Sequence, residues 1–324
     1  MVTTRTRHLT TVAELQDRES SQVSGTDKGF ASARHALRIL VAYLGLTLIP
    51  AVLTAGRSGS SVILIAHVAG LGLALYAARR LGYRGASGQA RGTRVDVALA
   101  WLPVVAVPLL YAELPALMAG IGSSYHDATV QRWELGLFGG SSPARSLAPA
   151  IARATPPAVT LAISELLHAG YLSFYAIIYL PVVVLFARGD REKFGRAIAG
   201  LTTIFAATYV VFVLFPVQGP RYLWPASTAI PDGLFRALTL RVLEGGSSRG
   251  TAFPSAHVAV AAMQSLFALQ WHRPFGVLLS VLTALLTLGA VYGGYHYAVD
   301  VLAGAVVGLA AGWALRRAGT ACAP

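Results

Sequence analysis

The chain has 324 residues, 55% of them hydrophobic and 12% charged, with a mean hydropathy of +0.60. An ordinary soluble domain carries about 25% charged residues, so this composition excludes one. A net charge of +12 is compatible with nucleic-acid binding, but the basic residues lie between apolar runs, which points to membrane topology and anionic lipid and to no nucleic-acid partner.

In chain order, residues 1–34 are polar, mixed in charge and without apolar periodicity. They read as a disordered cytoplasmic tail. The first apolar run begins at Ile39 and is long enough to span, which is not the pattern of a signal peptide. Uncharged runs follow at 39–56, 58–78, 97–112, 166–187, 197–220, 250–271, 274–299 and 301–315. A crossing helix takes roughly 17–25 residues. The third run extends past Glu113 to about Ile121, and the last span begins near His296. The expected fold is all-α, a polytopic transmembrane helical bundle of about eight spans. Gly70, Gly72, Gly304, Gly308 and Gly312 are expected to let helices pack closely.

Eight spans put both termini on one side, together with eighteen of the 26 lysines and arginines. Basic residues in short loops favour the cytoplasm. The termini therefore read as cytoplasmic in the plasma membrane, and the opposite face as extracytoplasmic. The single cysteine, Cys322, permits no intrachain disulfide and no cysteine-based metal site.

Two loops on the extracytoplasmic face are longer than connection requires, a feature of functional segments. One runs from about Gly122 to Pro157 and holds Tyr125-His126-Asp127, Trp133-Glu134 and Leu137-Phe138-Gly139-Gly140. The other runs from Val217 to Pro254 and holds Gln218-Gly219-Pro220-Arg221-Tyr222. Their aromatic residues suit the water–lipid interface.

The chemistry concentrates in Phe253-Pro254-Ser255-Ala256-His257 and Tyr295-His296-Tyr297-Ala298-Val299-Asp300. A histidine at membrane depth is costly and marks a functional site by default. The spans after Pro254 and at His296 start from the same face, so the two histidines can converge. Asp300 follows His296 by four, which on a helix places both on one side, about 5–6 Å apart at Cβ. A carboxylate on one ring nitrogen fixes the tautomer and frees the other to attack. His257 then suits the general acid for the leaving oxygen. Arg221 and Arg249, both in the loop feeding His257, suit phosphate oxygens through paired guanidinium bonds. The bland alternatives are histidines that only bond between helices and an Arg221 that snorkels. Glu165 and His168 form one Glu-x-x-His pair, whereas a di-iron bundle needs two plus further glutamates. They are expected to line the substrate cleft, with no metal and no cofactor. His126-Asp127 reads as a loop hydrogen bond.

Pro254-Ser255-Ala256-His257 and His296-Tyr297-Ala298-Val299-Asp300 resemble the second and third motifs of the type 2 phosphatidic acid phosphatase superfamily. Trp133-Glu134 with Leu137-Phe138-Gly139, Glu165-Leu166-Leu167-His168-Ala169-Gly170-Tyr171 and Gly219-Pro220-Arg221-Tyr222 are similar to its inositol phosphorylceramide synthase branch. The resemblance covers about Tyr125 to Gly304. It implies a six-helix phosphatase-like core, a phosphorylated nucleophile at His296, an orienting Asp300 and an acid at His257. Two positions depart from the phosphatase pattern: Leu214 stands for its lysine and Ala290 for its second arginine.

The expected organisation is thus the tail 1–34, two additional spans and a basic loop at 35–94, a catalytic six-span domain at 95–317 and a short cytoplasmic tail at 318–324. The expected activity is metal-independent cleavage of a lipid phosphate, as a phosphatase or as an inositolphosphotransferase-like enzyme delivering to an alcohol or lipid acceptor. The alternative is a non-enzymatic transporter using His and Asp as a proton relay; the chain shows no matching halves of the kind common in transporters.

Overall fold

A computed structural model describes residues 12–58, 61–87 and 93–320. Among these residues it has thirteen helices: α1 (Val12–Ser58), α2 (Val62–Ser87), α3 (Arg94–Ile121), α4 (Asp127–Leu137), α5 (Pro143–Ala154), α6 (Pro157–Leu172), α7 (Phe174–Ala187), α8 (Arg191–Leu214), α9 (Pro220–Leu223), α10 (Leu234–Gly246), α11 (Ala256–Trp271), α12 (Arg273–Tyr292) and α13 (Ala298–Thr320). The only extended pairing among them is an isolated bridge between Val217 and Thr251.

Six helices, α1, α2, α3, α8, α12 and α13, are long and apolar enough to cross a membrane. Their outer faces expose Ile49, Val105, Leu109, Val281 and Val306, the pattern of a lipid-facing surface rather than a wet one. A helix crosses because its backbone polar groups pair internally. The fourth expected span is a bent pair, α6 and α7, meeting at 43°. Ser173 makes the break: its Oγ donates to the Gly170 carbonyl at 2.6 Å, and such back-bonding bends helices. The sixth expected span, α11, has 16 residues and so reaches about 24 Å, short of the ~30 Å hydrocarbon layer. It ends where His272 caps α12, accepting the Phe275 N–H at Nδ1 over 3.2 Å. The eight expected positions are therefore six full-length helices, one broken pair and one short helix.

The expected disordered tail differs too. Residues 12–34 belong to α1, which meets no proline before Pro50. Residues 1–11 and 321–324 lie outside the described residues. The basic loop is partly helix, since α2 runs to Ser87. Thr93 and Asp96 cap α3 reciprocally, and Arg80 Nε donates to Asp96 Oδ1 at 2.8 Å.

Within the bundle α1 lies against α2, α3 and α8, while α11 lies against α12 and α13. Helix α8 is buried on most of its circumference through Ile198, Leu201, Ile204, Phe205, Tyr209 and Phe212, and so joins the two groups. Buried His67 pins α2 in place. Its Nδ1 meets Glu113 Oε2 at 2.9 Å, and its Nε2 lies 3.0 Å from the Leu44 carbonyl. The glycines divide. A Cβ on Gly304 or Gly308 would meet the Ser255 or Ala259 carbonyl oxygen at well under 3.0 Å, and one on Gly312 would meet Leu266 at 3.0 Å. Gly70 has its nearest neighbour at 3.8 Å and Gly72 has none within 4 Å, so these two make no close packing here. The spacings explain the difference: the α13 glycines stand four apart and so line one face, which meets α11, whereas Gly70 and Gly72 stand two apart and lie on a loosely covered part of α2.

Candidate active site

The close approach of α13 to α11 brings the two motifs together. Ser255 caps α11, its Oγ accepting the Val258 N–H, and its own N–H donates to the Asp300 carbonyl at 3.0 Å. His296 sits in the turn between α12 and α13. That turn needs Gly294, at φ +68°, in the left-handed region that only glycine enters freely. The N–H groups of Tyr295 and His296 both donate to the Ala290 carbonyl, at 2.9 and 3.1 Å.

Here the structure corrects the expected helical His–Asp pair. His296 precedes the first residue of α13, Ala298, so the two do not share a helix face. Asp300 instead bends back over the helix start, where Oδ2 accepts the Tyr297 N–H at 2.8 Å. The same oxygen faces His296 Nδ1 at 3.5 Å, longer than a hydrogen bond. Nδ1 and Asp300 Oδ1 are buried without other partners. Catalytic hydrogen bonds are often long before substrate binds.

The His257 and His296 rings lie 5.8 Å apart between centroids, edge to face. His257 is held by rings: Tyr171 stacks on it at 5.6 Å and Phe174 approaches at 4.1 Å. Tyr171 in turn meets Tyr295 at 4.8 Å. Ser255 Oγ stands 3.4 Å from His296 Nε2. Burial is graded, with Asp300 fully covered, His296 4% exposed and His257 partly open.

Arg221 and Arg249 converge on one ring. The Arg249 guanidinium lies 5.0 Å from the Tyr222 ring centroid and that of Arg221 5.4 Å. Ser247 ties Arg221 to Tyr222, its Oγ accepting from Arg221 Nη1 at 2.8 Å and from the Tyr222 hydroxyl at 2.7 Å. Burial pushes the Tyr295 phenol well above its usual range, while Arg236 and Arg221 pull it the other way. Two arginines thus act on the residue beside His296.

Several residues named in the sequence hold this site through partners that the sequence did not indicate. Asp127, at the start of α4, accepts the N–H groups of Gln218 and Gly219, both at 3.0 Å, and the Tyr297 hydroxyl at 3.3 Å. The expected loop hydrogen bond is thus a clamp on the segment leading into Arg221. Seven residues on, and so on the same helix face, Glu134 accepts the Val299 N–H at 3.0 Å and the Ser142 hydroxyl at 2.7 Å. One short helix therefore grips both the Arg221 loop and the start of α13. Glu165 accepts the N–H groups of Phe235 and Arg236 at 2.9 and 3.2 Å, so it caps α10. His168, bonded through Nδ1 to the Ser164 carbonyl at 2.7 Å, sets its ring edge against Tyr295 at 6.0 Å. Of the expected cleft-lining pair, His168 borders the site and Glu165 braces it. Among the described residues no three His, Cys, Asp or Glu side chains group as a metal site requires.

Residues 152–314 match the PAP2 superfamily. The chain belongs to that superfamily. Its members are in general phosphatases, which supports an enzyme of phosphatase type in a helical membrane bundle. No curated protein and no solved structure matches the chain. The PAP2 segment runs from the end of α5 into α13 and includes both histidine motifs; α1 to α4 lie outside it.

Proposed function

We propose that this PAP2 protein is an integral membrane enzyme that cleaves a lipid phosphoester through a phosphohistidine on His296. The observation that carries the reading is the pairing of the His257 and His296 rings at 5.8 Å, with Asp300 behind His296. Nδ1 faces Asp300, so Nε2 is the attacking atom. It forms a bond to phosphorus as the bond from phosphorus to the lipid oxygen breaks. His257 gives that oxygen its proton and becomes the base for the second half. Water, or an alcohol, then loses a proton to His257 and attacks phosphorus, breaking the N–P bond. Arg221 and Arg249 hold the phosphate oxygens, a task that falls to them because Leu214 and Ala290 stand where the phosphatase pattern has basic residues. Asp300 orients the imidazole and stabilises its charge.

The reaction takes place on the extracytoplasmic face of the plasma membrane, and the partners are a lipid phosphate and either water or an alcohol acceptor. The Trp133-Glu134 and Glu165–Tyr171 motifs favour the transferring, inositolphosphotransferase-like branch. Mass spectrometry of products from purified protein, given candidate lipid phosphates with and without inositol, tests this. Free phosphate means hydrolysis and a new phosphodiester lipid means transfer; turnover of no lipid phosphate would refute the reading. The chemistry runs without a metal, so activity persists in EDTA and orthovanadate inhibits; loss in EDTA with recovery on adding magnesium would contradict this.

A further inference from the structure

The loop Gly245-Gly246-Ser247-Ser248-Arg249-Gly250-Thr251 carries three glycines, which lose the most backbone freedom when fixed. Yet it is held on both sides of Arg249 by one side chain from outside the PAP2 segment. The Tyr111 hydroxyl, on α3, accepts the Ser248 N–H at 3.1 Å and pairs with Thr251 Oγ1 at 3.0 Å. Thr251 spends its own proton on the Ser248 carbonyl at 2.8 Å. Tyr111 must therefore donate to Thr251, which closes a ring of three hydrogen bonds around residues 248–251.

A second contact comes from the same face of α3, two turns on. Gly250 has φ +94°, and a Cβ there would lie 2.5 Å from Met118 Sδ. On the far side of the loop, Ser247 holds Arg221 and Tyr222. With the backbone fixed at 247, 248 and 251, the exposed Arg249 side chain extends over the Tyr222 ring.

We propose that Tyr111 is a positioning residue that presents Arg249 to the substrate phosphate, so that α3 completes a site the matched segment does not build alone. The inference rests on the phosphate role proposed for Arg249. Phosphate binding gains because the loop is ordered before the ligand arrives; without the phenol hydroxyl, each binding event has to order it.

The test is a double-mutant cycle on the purified full-length protein with Tyr111→Phe and Arg249→Ala. It reads kcat and KM on nitrophenyl phosphate and the thermal shift given by orthovanadate. Tyr111→Phe should raise KM about tenfold, the worth of roughly one hydrogen bond, with kcat within about twofold and a smaller vanadate shift. Thr251→Val, which opens the same ring from the loop side, should do likewise. The double variant should be no worse than Arg249→Ala alone. If Arg249→Ala raises KM but Tyr111→Phe and Thr251→Val do not, or if the effects multiply, the Tyr111 role is wrong. If Arg249→Ala changes neither KM nor the vanadate shift, the Arg249 reading has failed and the route through it fails as well. A fall in kcat alone, or in thermal midpoint alone, would mark Tyr111 as merely structural and overturn the inference.

Discussion

Gly304 and Ser255 touch backbone to backbone: a methyl on Gly304 would meet the Ser255 carbonyl oxygen well inside any real Cβ contact. The consequence is functional, because Ser255 caps the helix that begins with Ala256 and His257, and Gly304 lies one turn beyond Asp300. Any increase in that spacing separates the two motifs.

Gly304→Ala should therefore destabilise the protein by about 1–3 kcal/mol through overpacking. Activity should fall further than stability does, by about 100-fold, since a shift near 1 Å between reacting groups costs that much. Gly72→Ala, which meets nothing within 4 Å, is the control and should leave both unchanged. Thermal midpoints and turnover of the two variants side by side decide the matter; equal behaviour would remove the packing argument.

What sequence made legible here was what sits close in the chain. The motifs around His257 and His296 could be read because each is a short run. The apolar runs located the bundle because membrane spans depend on local composition. Long-range bonds left no such trace. Asp127 acts on residues ninety positions away, and Glu165 acts seventy away on the start of α10. Nothing near either carboxylate names its partner. The Arg221 and Arg249 loop was recognisable, but not the Tyr222 ring on which the two guanidinium groups meet. His296 was expected on a helix because Asp300 stands at i+4, a spacing that also fits a helix start whose third residue reaches back over its cap.

Asp127 offers a test of how that distant scaffold matters. Asp127→Ala would strip partners from two backbone N–H groups and one phenol. Each buried donor left unpaired costs about 1–3 kcal/mol. The expected result is a lower thermal midpoint and a KM raised about tenfold, because the Gln218-Gly219 segment sets Arg221. Asp127→Asn keeps one acceptor and should fall between the two. An Asp127→Ala protein with native KM would show that the clamp does not govern phosphate binding.

Topology can be checked independently of activity. Glu244 is exposed on α10, on the loop side of the site. In a Cys322→Ser background, Glu244→Cys should react with a membrane-impermeant thiol reagent in intact cells, as the proposed extracytoplasmic site requires. Labelling only after lysis would place the site in the cytoplasm.

The two histidines should part company on activated substrates. If His296 attacks phosphorus, His296→Ala makes no phosphoenzyme from any substrate. If His257 serves to protonate the departing oxygen, His257→Ala should recover part of its rate when that oxygen is already acidic, as in nitrophenyl phosphate. On a natural lipid both variants should be inactive. Asp300→Asn should lower the rate without displacing substrate, since its place behind Nδ1 concerns imidazole orientation and charge; the comparable loss in a serine protease costs about 10⁴-fold. Rapid quenching with detection of acid-labile phosphate on the protein, across substrates of graded leaving-group acidity, separates these roles. A His296→Ala protein that still formed such a phosphoenzyme would place the nucleophile elsewhere. Two variants equally dead on every substrate would leave His257 without a separate role as acid.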